Sequence, residues 1–95
     1  KKFYKQLLSL YTKIYMDKKV EIYSTESCHF CHMAKDWLTS KNIGYIDYNV
    51  GVDADKRKEM VEMTGQLGVP VIKIGNDVMV GFNQGKMAEL LGVAA

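Results

Sequence analysis

Residues 20–31 read VEIYSTESCHFC, and the pattern of side chains changes within this stretch. Residues 20–23 alternate apolar and polar side chains, which is the period of a strand, and residues 24–27 form a polar loop. Beyond the two cysteines, apolar residues at helical spacing predict a helix over about residues 29–41; they are Phe30, Ala34, Trp37 and Leu38. The sequence therefore places both cysteines between the end of a strand and the start of a helix.

A cysteine at the start of a helix is activated, because unpaired N–H groups and the positive end of the helix dipole stabilise a thiolate. Lowering a thiol pKa from about 8.5 to about 7 raises the thiolate fraction at neutral pH from a few per cent to about half. A second cysteine one helical turn further on can close a disulfide with the first. We therefore predict that Cys28 is the attacking thiolate and that Cys31 is the resolving thiol.

Three other roles stay open for the two cysteines. With His32 they spell C-x-x-C-H, the pattern of c-type haem attachment, although that chemistry needs export and a helical haem pocket. His29 and His32 are candidate zinc ligands, but no second Cys or His pair follows to complete a tetrahedral site. A structural pair of buried thiols does not call for a position at a strand-to-helix junction. His29 and Lys35 can add positive charge near the thiolate, and both also fit ordinary exposed side chains.

The rest of the chain alternates strand and helix patterns. Apolar and polar side chains alternate over residues 45–50, which predicts a second strand. Asp53 is a suitable N-cap for a helix that follows this strand. Residues 71–74 and 78–80 flank a Gly-Asn-Asp turn and predict a hairpin, and a last helix begins at about Gln84. The order β-α-β-α-β-β-α implies one parallel pair from a right-handed crossover together with antiparallel strands. We therefore predict an α/β fold with a mixed four-stranded sheet and helices on its faces.

Pro70, the only proline of the chain, stands at the head of the third predicted strand. Since proline cannot donate a hydrogen bond to a sheet, this position is acceptable on structural grounds alone. A sharper prediction is a cis Val69–Pro70 bond that turns the backbone of Val69 toward the two cysteines. The N–H and C=O groups of Val69 would then pair with an extended substrate as an added strand does.

The chain of 95 residues has the composition of one domain, with 47% hydrophobic and 25% charged residues. Residues 1–15 hold four lysines and no acidic residue, and their apolar spacing predicts a basic amphipathic helix. Met16 also reads like an alternative beginning of the native chain. Residues 16–95, the predicted domain, hold nine basic and eleven acidic groups, a net charge of −2. They lack the basic stripe of a nucleic-acid surface, and no stretch suits a membrane span or signal peptide, so we predict a cytoplasmic protein.

Taken together, these motifs resemble the glutaredoxin branch of the thioredoxin-like fold over about residues 19–93. The loop at residues 24–31, STESCHFC, is similar to the glutaredoxin active-site loop, and residues 68–70, GVP, are similar to its cis-proline motif. Residues 81–84, GFNQ, stand where glutathione-binding members have Gly-Gly-x-Asp. The resemblance implies the thioredoxin-like fold, a cis proline, and dithiol–disulfide exchange that needs no bound cofactor or metal.

The chain also departs from the usual glutaredoxin pattern. His29 and Phe30 replace the Pro-Tyr dipeptide, and Glu26 is acidic where a basic residue is common. Gly81-Phe82 lacks the acidic residue that holds the amino group of glutathione. In this respect the chain looks more like the NrdH-type redoxins, which take electrons from thioredoxin reductase and usually reduce ribonucleotide reductase.

The resemblance implies site residues and partners as well. The expected substrate-binding residues are Val69, Pro70, Gly81 and Phe82. The residues expected to support the cysteines are His29, Phe30 and Lys35. The expected partners are disulfide-bearing proteins, with electrons from thioredoxin reductase or from glutathione as a co-substrate. The alternative is a metal or iron–sulfur module, in which thiolates hold a cluster between two protomers, as in some glutaredoxins with glutathione. The proline-free Cys-His-Phe-Cys loop motivates this alternative.

Overall fold

The computed structural model describes residues 18–95, so the helix predicted for residues 1–15 and the domain boundary at residue 16 lie outside the described residues. The elements within them are β1 (Val20–Ser24), α1 (His29–Ser40), β2 (Ile46–Asn49), α2 (Ala54–Thr64), β3 (Val71–Ile74), β4 (Asp77–Val80) and α3 (Gln84–Leu91). The sheet order is β2-β1-β3-β4, with β1 parallel to β2 and antiparallel to β3, and β4 antiparallel to β3. The predicted mixed four-stranded thioredoxin-like sheet is confirmed.

The sheet divides the apolar core into two clusters, one on each face. The larger cluster lies between the sheet and the helices α1 and α3, and its fully buried side chains include Ile22, Ala34, Leu38, Ile72, Ile74 and Met87. The smaller cluster lies under α2 and consists of Tyr23, Val50, Met60 and Val71. Burial of this apolar surface holds α1 against the sheet and so fixes the position of its first turn.

Both faces of β1 are covered. Its apolar and polar side chains alternate, yet all five of its residues are buried. The reason is that β1 lies between β2 and β3 and has helices on both faces. Glu21 is 8% exposed, and its carboxylate accepts a hydrogen bond from the Tyr48 hydroxyl at 2.7 Å. A polar residue is therefore tolerated in this central strand because its oxygen has a partner.

The buried face of α1 begins one residue later than predicted. Phe30 was expected to share the inward face with Ala34 and Leu38, but its side chain is 58% exposed, while Cys31 is 0% exposed. Both positions lie at helical spacing from Ala34 and Leu38, and the path of the chain from β1 turns Cys31 rather than Phe30 inward.

The helix α2 begins as the sequence predicted. The Asp53 side chain caps it by accepting from the Lys56 N–H at 3.0 Å, and Gly65, with φ +70°, ends it in the left-handed conformation that favours glycine. Met60 is fully buried and Val61 is half-buried, so this face of α2 packs on the sheet. No helix within residues 18–95 is long and apolar enough to cross a membrane.

Candidate active site

Cys28 is the N-cap of α1, at the strand-to-helix junction that the sequence predicted. Its backbone is extended, with φ −84° and ψ 110°, and its Sγ accepts a hydrogen bond from the Cys31 N–H at 3.2 Å. This N–H is one of those that a helix leaves unpaired in its first turn. In the reduced protein, we expect the same donor and the helix dipole to stabilise a thiolate at Cys28.

The two cysteines form a disulfide, with Cα atoms 5.2 Å apart. Their environments differ, because Cys31 is fully buried and Cys28 is half-buried. Attack on the disulfide of another protein needs a sulfur that the partner can reach. The difference in exposure therefore supports Cys28 as the attacking sulfur and Cys31 as the resolving one.

Hydrogen bonds to the main chain hold the loop that presents Cys28. The Cys28 N–H donates to the Thr25 carbonyl at 3.3 Å and closes a turn. Nε2 of His32 lies 2.7 Å from the Glu26 carbonyl oxygen. A carbonyl only accepts, so the imidazole donates through Nε2–H. The His32 side chain is exposed, and nothing in the sequence indicated its bond to the loop.

His29 and Phe30, the residues between the cysteines, face outward. Their rings meet edge to face, with centroids 5.6 Å apart and planes at 66°. The exposed Phe30 ring gives the site an apolar surface directly beside the disulfide.

The loop before β3 lies at the same end of the sheet as the disulfide. Tyr23 pairs with Val71 in the sheet, so the residues that follow Tyr23 lie beside those that precede Val71. The Val69–Pro70 bond is cis, which confirms the prediction. Pro70 is buried and Val69 is half-buried. The structure thus brings Val69 and Pro70 to the end of the sheet that carries the active-site loop.

The segment before α3 joins this end of the sheet. The Gly81 N–H donates to the Pro70 carbonyl at 2.7 Å, and Gly81 has φ +89°, which glycine adopts without steric cost. The Phe82 ring packs against the larger core cluster. The Asn83 side chain caps α3 by accepting from the Lys86 N–H at 3.0 Å. The side chains of Phe82 and Asn83 are therefore engaged within the fold.

Lys35, predicted as a source of positive potential for the thiolate, forms an ion pair with Asp47 on β2. Its Nζ lies 2.5 Å from Oδ2 of Asp47, whose Oδ1 accepts from the Ser24 hydroxyl at 2.6 Å. A carboxylate at contact distance offsets much of the potential that the lysine exerts further away. These interactions connect α1, β1 and β2 behind the active-site loop.

A polar network lies on the opposite face of the sheet, under α2. The Tyr23 hydroxyl donates to Glu59 at 2.5 Å, the Tyr48 hydroxyl donates to Glu21, and the two rings lie 5.0 Å apart. Burial and the bond to Glu59 raise the pKa of Tyr23, and the bond to Glu21 raises the pKa of Tyr48. The bond from Tyr23 lowers the pKa of the Glu59 carboxyl. The network attaches α2 to the sheet rather than contacting the disulfide.

A metal ion held by residues 18–95 alone would need several side chains placed together as its ligands. No three His, Cys, Asp or Glu side chains within this range come together as a ligand set. An iron–sulfur cluster at Cys28 would therefore draw further ligands from outside this part of the chain, from a second protomer or from glutathione. The metal-binding alternative stays a prediction.

The fold and the site define a class of protein, namely a thioredoxin-like protein with a redox-active cysteine pair at the start of a helix. The particular family follows from comparison with known proteins. The family model for glutaredoxin matches residues 20–79, and the chain belongs to this family. Glutaredoxins are generally thiol–disulfide oxidoreductases, and the resemblance read from the motifs is confirmed.

Two curated relatives and one solved structure show the closeness of the match. An uncharacterized glutaredoxin-like 8.6 kDa protein in the rubredoxin operon of Clostridium pasteurianum is 43% identical over 72 residues, 76% of this chain and 96% of that protein. The glutaredoxin-like protein NrdH of Lactococcus lactis is 31% identical over 74 residues, 75% of this chain and 97% of that protein. The crystal structure of the thioredoxin-like protein BC3987 matches with a TM-score of 0.72 at 29% identity, over 77% of this chain and 100% of that one.

Proposed function

We propose that this protein is a thiol–disulfide electron carrier that reduces protein disulfides through Cys28 and Cys31 in the cytoplasm. The observation that carries the proposal is the position of the half-buried Cys28, whose sulfur caps α1 and is paired with the fully buried Cys31. Membership of the glutaredoxin family supports the same chemistry.

The first step is attack of the Cys28 thiolate on one sulfur of the target disulfide. The target S–S bond breaks, its second sulfur leaves as a thiolate, and a mixed disulfide forms between Cys28 and the target. Val69 and Pro70 lie at the same end of the sheet. In this proposal the main chain of Val69 binds the extended target segment as an added strand would.

The second step releases the product. Cys31 loses its proton to solvent, and its thiolate attacks the Cys28 Sγ, which breaks the mixed disulfide and frees the remaining target sulfur as a thiolate. The target gains two electrons and takes up two protons, while the cysteine pair becomes the disulfide seen in the structure. An outside reductant then returns the pair to the dithiol.

Thioredoxin reductase is the electron donor that we propose, in preference to glutathione. Residues 81–84 hold no carboxylate for the amino group of glutathione, and the side chains of Phe82 and Asn83 are engaged in the core and in the cap of α3. A relative named NrdH, matched over 97% of its length, supports this choice.

Exposed apolar side chains at the active-site end of the sheet favour a protein target over a small charged one. Phe30 lies between the cysteines, Val52 follows β2, and Leu67 lies in the loop before Pro70; their exposed fractions are 58%, 81% and 66%. Parallel strands end at the same edge, and the Val50 N–H bonds to the Ser24 carbonyl, so the loop after β2 lies beside the end of β1. Exposed apolar groups of this kind mark contact surfaces. Ribonucleotide reductase is the protein target to assay first.

The roles of the cysteines are tested by a matched pair of variants. Cys31→Ser should accumulate a mixed disulfide with a disulfide-bearing target, because the first step proceeds and the release does not. Cys28→Ser should form none, because the accessible sulfur is gone. Mass spectrometry of the unreduced mixture measures both. Equal trapping by the two variants would overturn the assignment of roles.

The donor is tested by NADPH consumption during reduction of a protein disulfide. We expect turnover with thioredoxin reductase and little with glutathione and glutathione reductase, and none with Cys28→Ser in either system. Gln84→Asp, which adds a carboxylate at the place where glutathione-binding members carry one, should raise the glutathione-dependent rate. If glutathione supported turnover and thioredoxin reductase did not, the choice of donor would be wrong. If the protein reduced no disulfide with either donor or with a chemical dithiol, the proposed function would be wrong.

A further inference from the structure

We propose that His32 is a positioning residue for disulfide exchange, because its Nε2–H fixes the Glu26 carbonyl and thereby holds the loop that presents Cys28. The inference rests on the proposed function, since it concerns the same reaction. His32 lies outside the Cys-x-x-Cys motif, and its imidazole reaches back across the first turn of α1 to a loop residue six positions earlier.

The loop has few other attachments. The main-chain bond from the Cys28 N–H to the Thr25 carbonyl closes its turn at 3.3 Å, and the Glu26 and Ser27 side chains are exposed. Among the hydrogen bonds recorded for residues 18–95, the one from His32, at 2.7 Å, is the side-chain bond that reaches residues 25–27. His32 also bonds through its main chain, where its N–H donates to the Cys28 carbonyl at 3.2 Å. One residue thus contacts the chain on both sides of Ser27.

The attachment matters most after reduction. In the oxidised protein the covalent bond to Cys31 fixes the Cys28 sulfur. Once that bond is broken, the sulfur stays over the Cys31 N–H only while the loop keeps its place. The thiolate draws its stabilisation from this N–H, which lies 3.2 Å from the sulfur. Loss of the His32 bond therefore reduces the fraction of reduced molecules that hold an activated Cys28.

The acceptor is a main-chain carbonyl and not the Glu26 carboxylate. The proposal therefore requires a donor at position 32 and is indifferent to the charge at position 26. Gln can supply an N–H donor from its side-chain amide, whereas Ala cannot. Three variants follow, namely His32→Ala, His32→Gln and the control Glu26→Gln, which keeps the carbonyl and removes the charge.

The test uses the full chain and two readouts. The first is the absorbance titration of the Cys28 thiolate in the reduced protein, and the second is kcat/KM for reduction of a protein disulfide. His32→Ala should raise the titration midpoint by about 0.5 to 1 pH unit, because the sulfur then spends less of its time over the Cys31 N–H. The same change lowers kcat/KM about fivefold. His32→Gln and Glu26→Gln should each stay within about twofold of the wild type.

Several outcomes would overturn the inference. If His32→Ala kept the wild-type midpoint of the thiolate titration and the wild-type kcat/KM, the bond from His32 to Glu26 would not position Cys28. A loss in His32→Gln equal to that in His32→Ala would show that the N–H donor is not what matters. A similar loss in Glu26→Gln would assign the effect to charge. Asp36→Asn, an exposed change on the same helix, and thermal unfolding of each variant control for damage to α1.

The inference and the proposed function fail in different ways. If the wild type turns over, Cys28→Ser does not, and His32→Ala equals the wild type, the function stands and the role of His32 is wrong. If the wild type shows no turnover with any donor, the proposed function is wrong. The thiolate titration still tests the role of His32 in that case, because it needs no substrate.

Discussion

Asp47 is the side chain through which β1, β2 and α1 meet behind the active-site loop. One carboxylate oxygen accepts from the Ser24 hydroxyl at 2.6 Å, and the other pairs with Nζ of Lys35 at 2.5 Å. Ser24 is 2% exposed, so water cannot easily replace the lost acceptor. We predict that Asp47→Ala destabilises the fold far more than removal of an ordinary surface carboxylate.

The magnitude follows from the two interactions. A buried hydroxyl left without its acceptor costs about 1.5 kcal/mol. The ion pair adds about 0.5 kcal/mol, because the Asp47 side chain is 37% exposed and solvent screens the attraction to Lys35. The expected loss in the free energy of unfolding is therefore about 2 kcal/mol, which lowers the Tm of a domain of this size by about 10 °C.

Urea and thermal unfolding, followed by the fluorescence of Trp37, measure this loss. Asp47→Asn keeps an oxygen that accepts from Ser24, so it should lose only the ion pair, about 0.5 kcal/mol. Asp77→Ala removes an exposed carboxylate at the start of β4 and should stay within about 0.5 kcal/mol of the wild type.

Two results would refute the reasoning. One is an Asp47→Ala variant that unfolds within about 0.5 kcal/mol of the wild type. The other comes from the Ser24→Ala background, where the hydrogen bond is already absent and Asp47→Ala should cost only the ion pair, about 0.5 kcal/mol. If Asp47→Ala lowered the free energy of unfolding as much in that background as in the wild type, the bond to Ser24 would not be the cause of the loss.

Two further predictions concern α2 and the loop that follows it. Because burial and the bond to Glu59 raise the pKa of Tyr23, the stabilisation from its protonated hydroxyl is complete below about pH 10 and is lost as the pH rises toward the raised pKa. Tyr23→Phe should therefore lower the free energy of unfolding by about 1 kcal/mol at pH 8 and by less above pH 10. Equal decreases at pH 8 and pH 11, measured by urea unfolding, would contradict this. Gly68→Ala would place a Cβ 2.5 Å from the Gln66 Oε1, which accepts from the Gly68 N–H. Because Oε1 is the end of a flexible side chain that can move away, Gly68→Ala should lower the free energy of unfolding only by the loss of this exposed bond, about 0.5–1 kcal/mol, while Gly44→Ala, which meets open space, should be nearly neutral; similar values for both would refute the contact.

The features that the sequence predicted correctly depend on neighbours in the chain. The strand, loop and helix around Cys28 follow from short-range periodicity and from the chemistry of a helix start. The cap at Asp53 and the turn at Gly75-Asn76 follow from the local preferences of those residue types. The expectation of a cis Pro70 needed more, since it came from the resemblance to a family as well as from the position of the residue.

Contacts between distant parts of the chain were not predictable. Tyr23 and Glu59 are 36 positions apart, and no periodicity says which of the many carboxylates meets a given hydroxyl. Lys56 lies on α2 and its Nζ lies 4.2 Å from the centroid of the Tyr48 ring, a contact that no spacing in the sequence indicates. The bond from His32 is local, but it depends on the shape of a loop that propensities do not specify.

In the proposed mechanism, the groups that perform the chemistry differ from those that would contact the target. The donor that stabilises the Cys28 sulfur is a main-chain N–H, and main-chain groups also join Gly81 to the loop of Pro70. Substitution cannot remove these groups without changing the fold. The exposed rings of His29 and Phe30 contribute no such bond to the sulfur. Replacing the usual dipeptide by His-Phe therefore keeps this main-chain donor and alters the surface presented to a partner, so variation at these two positions should change the choice of target.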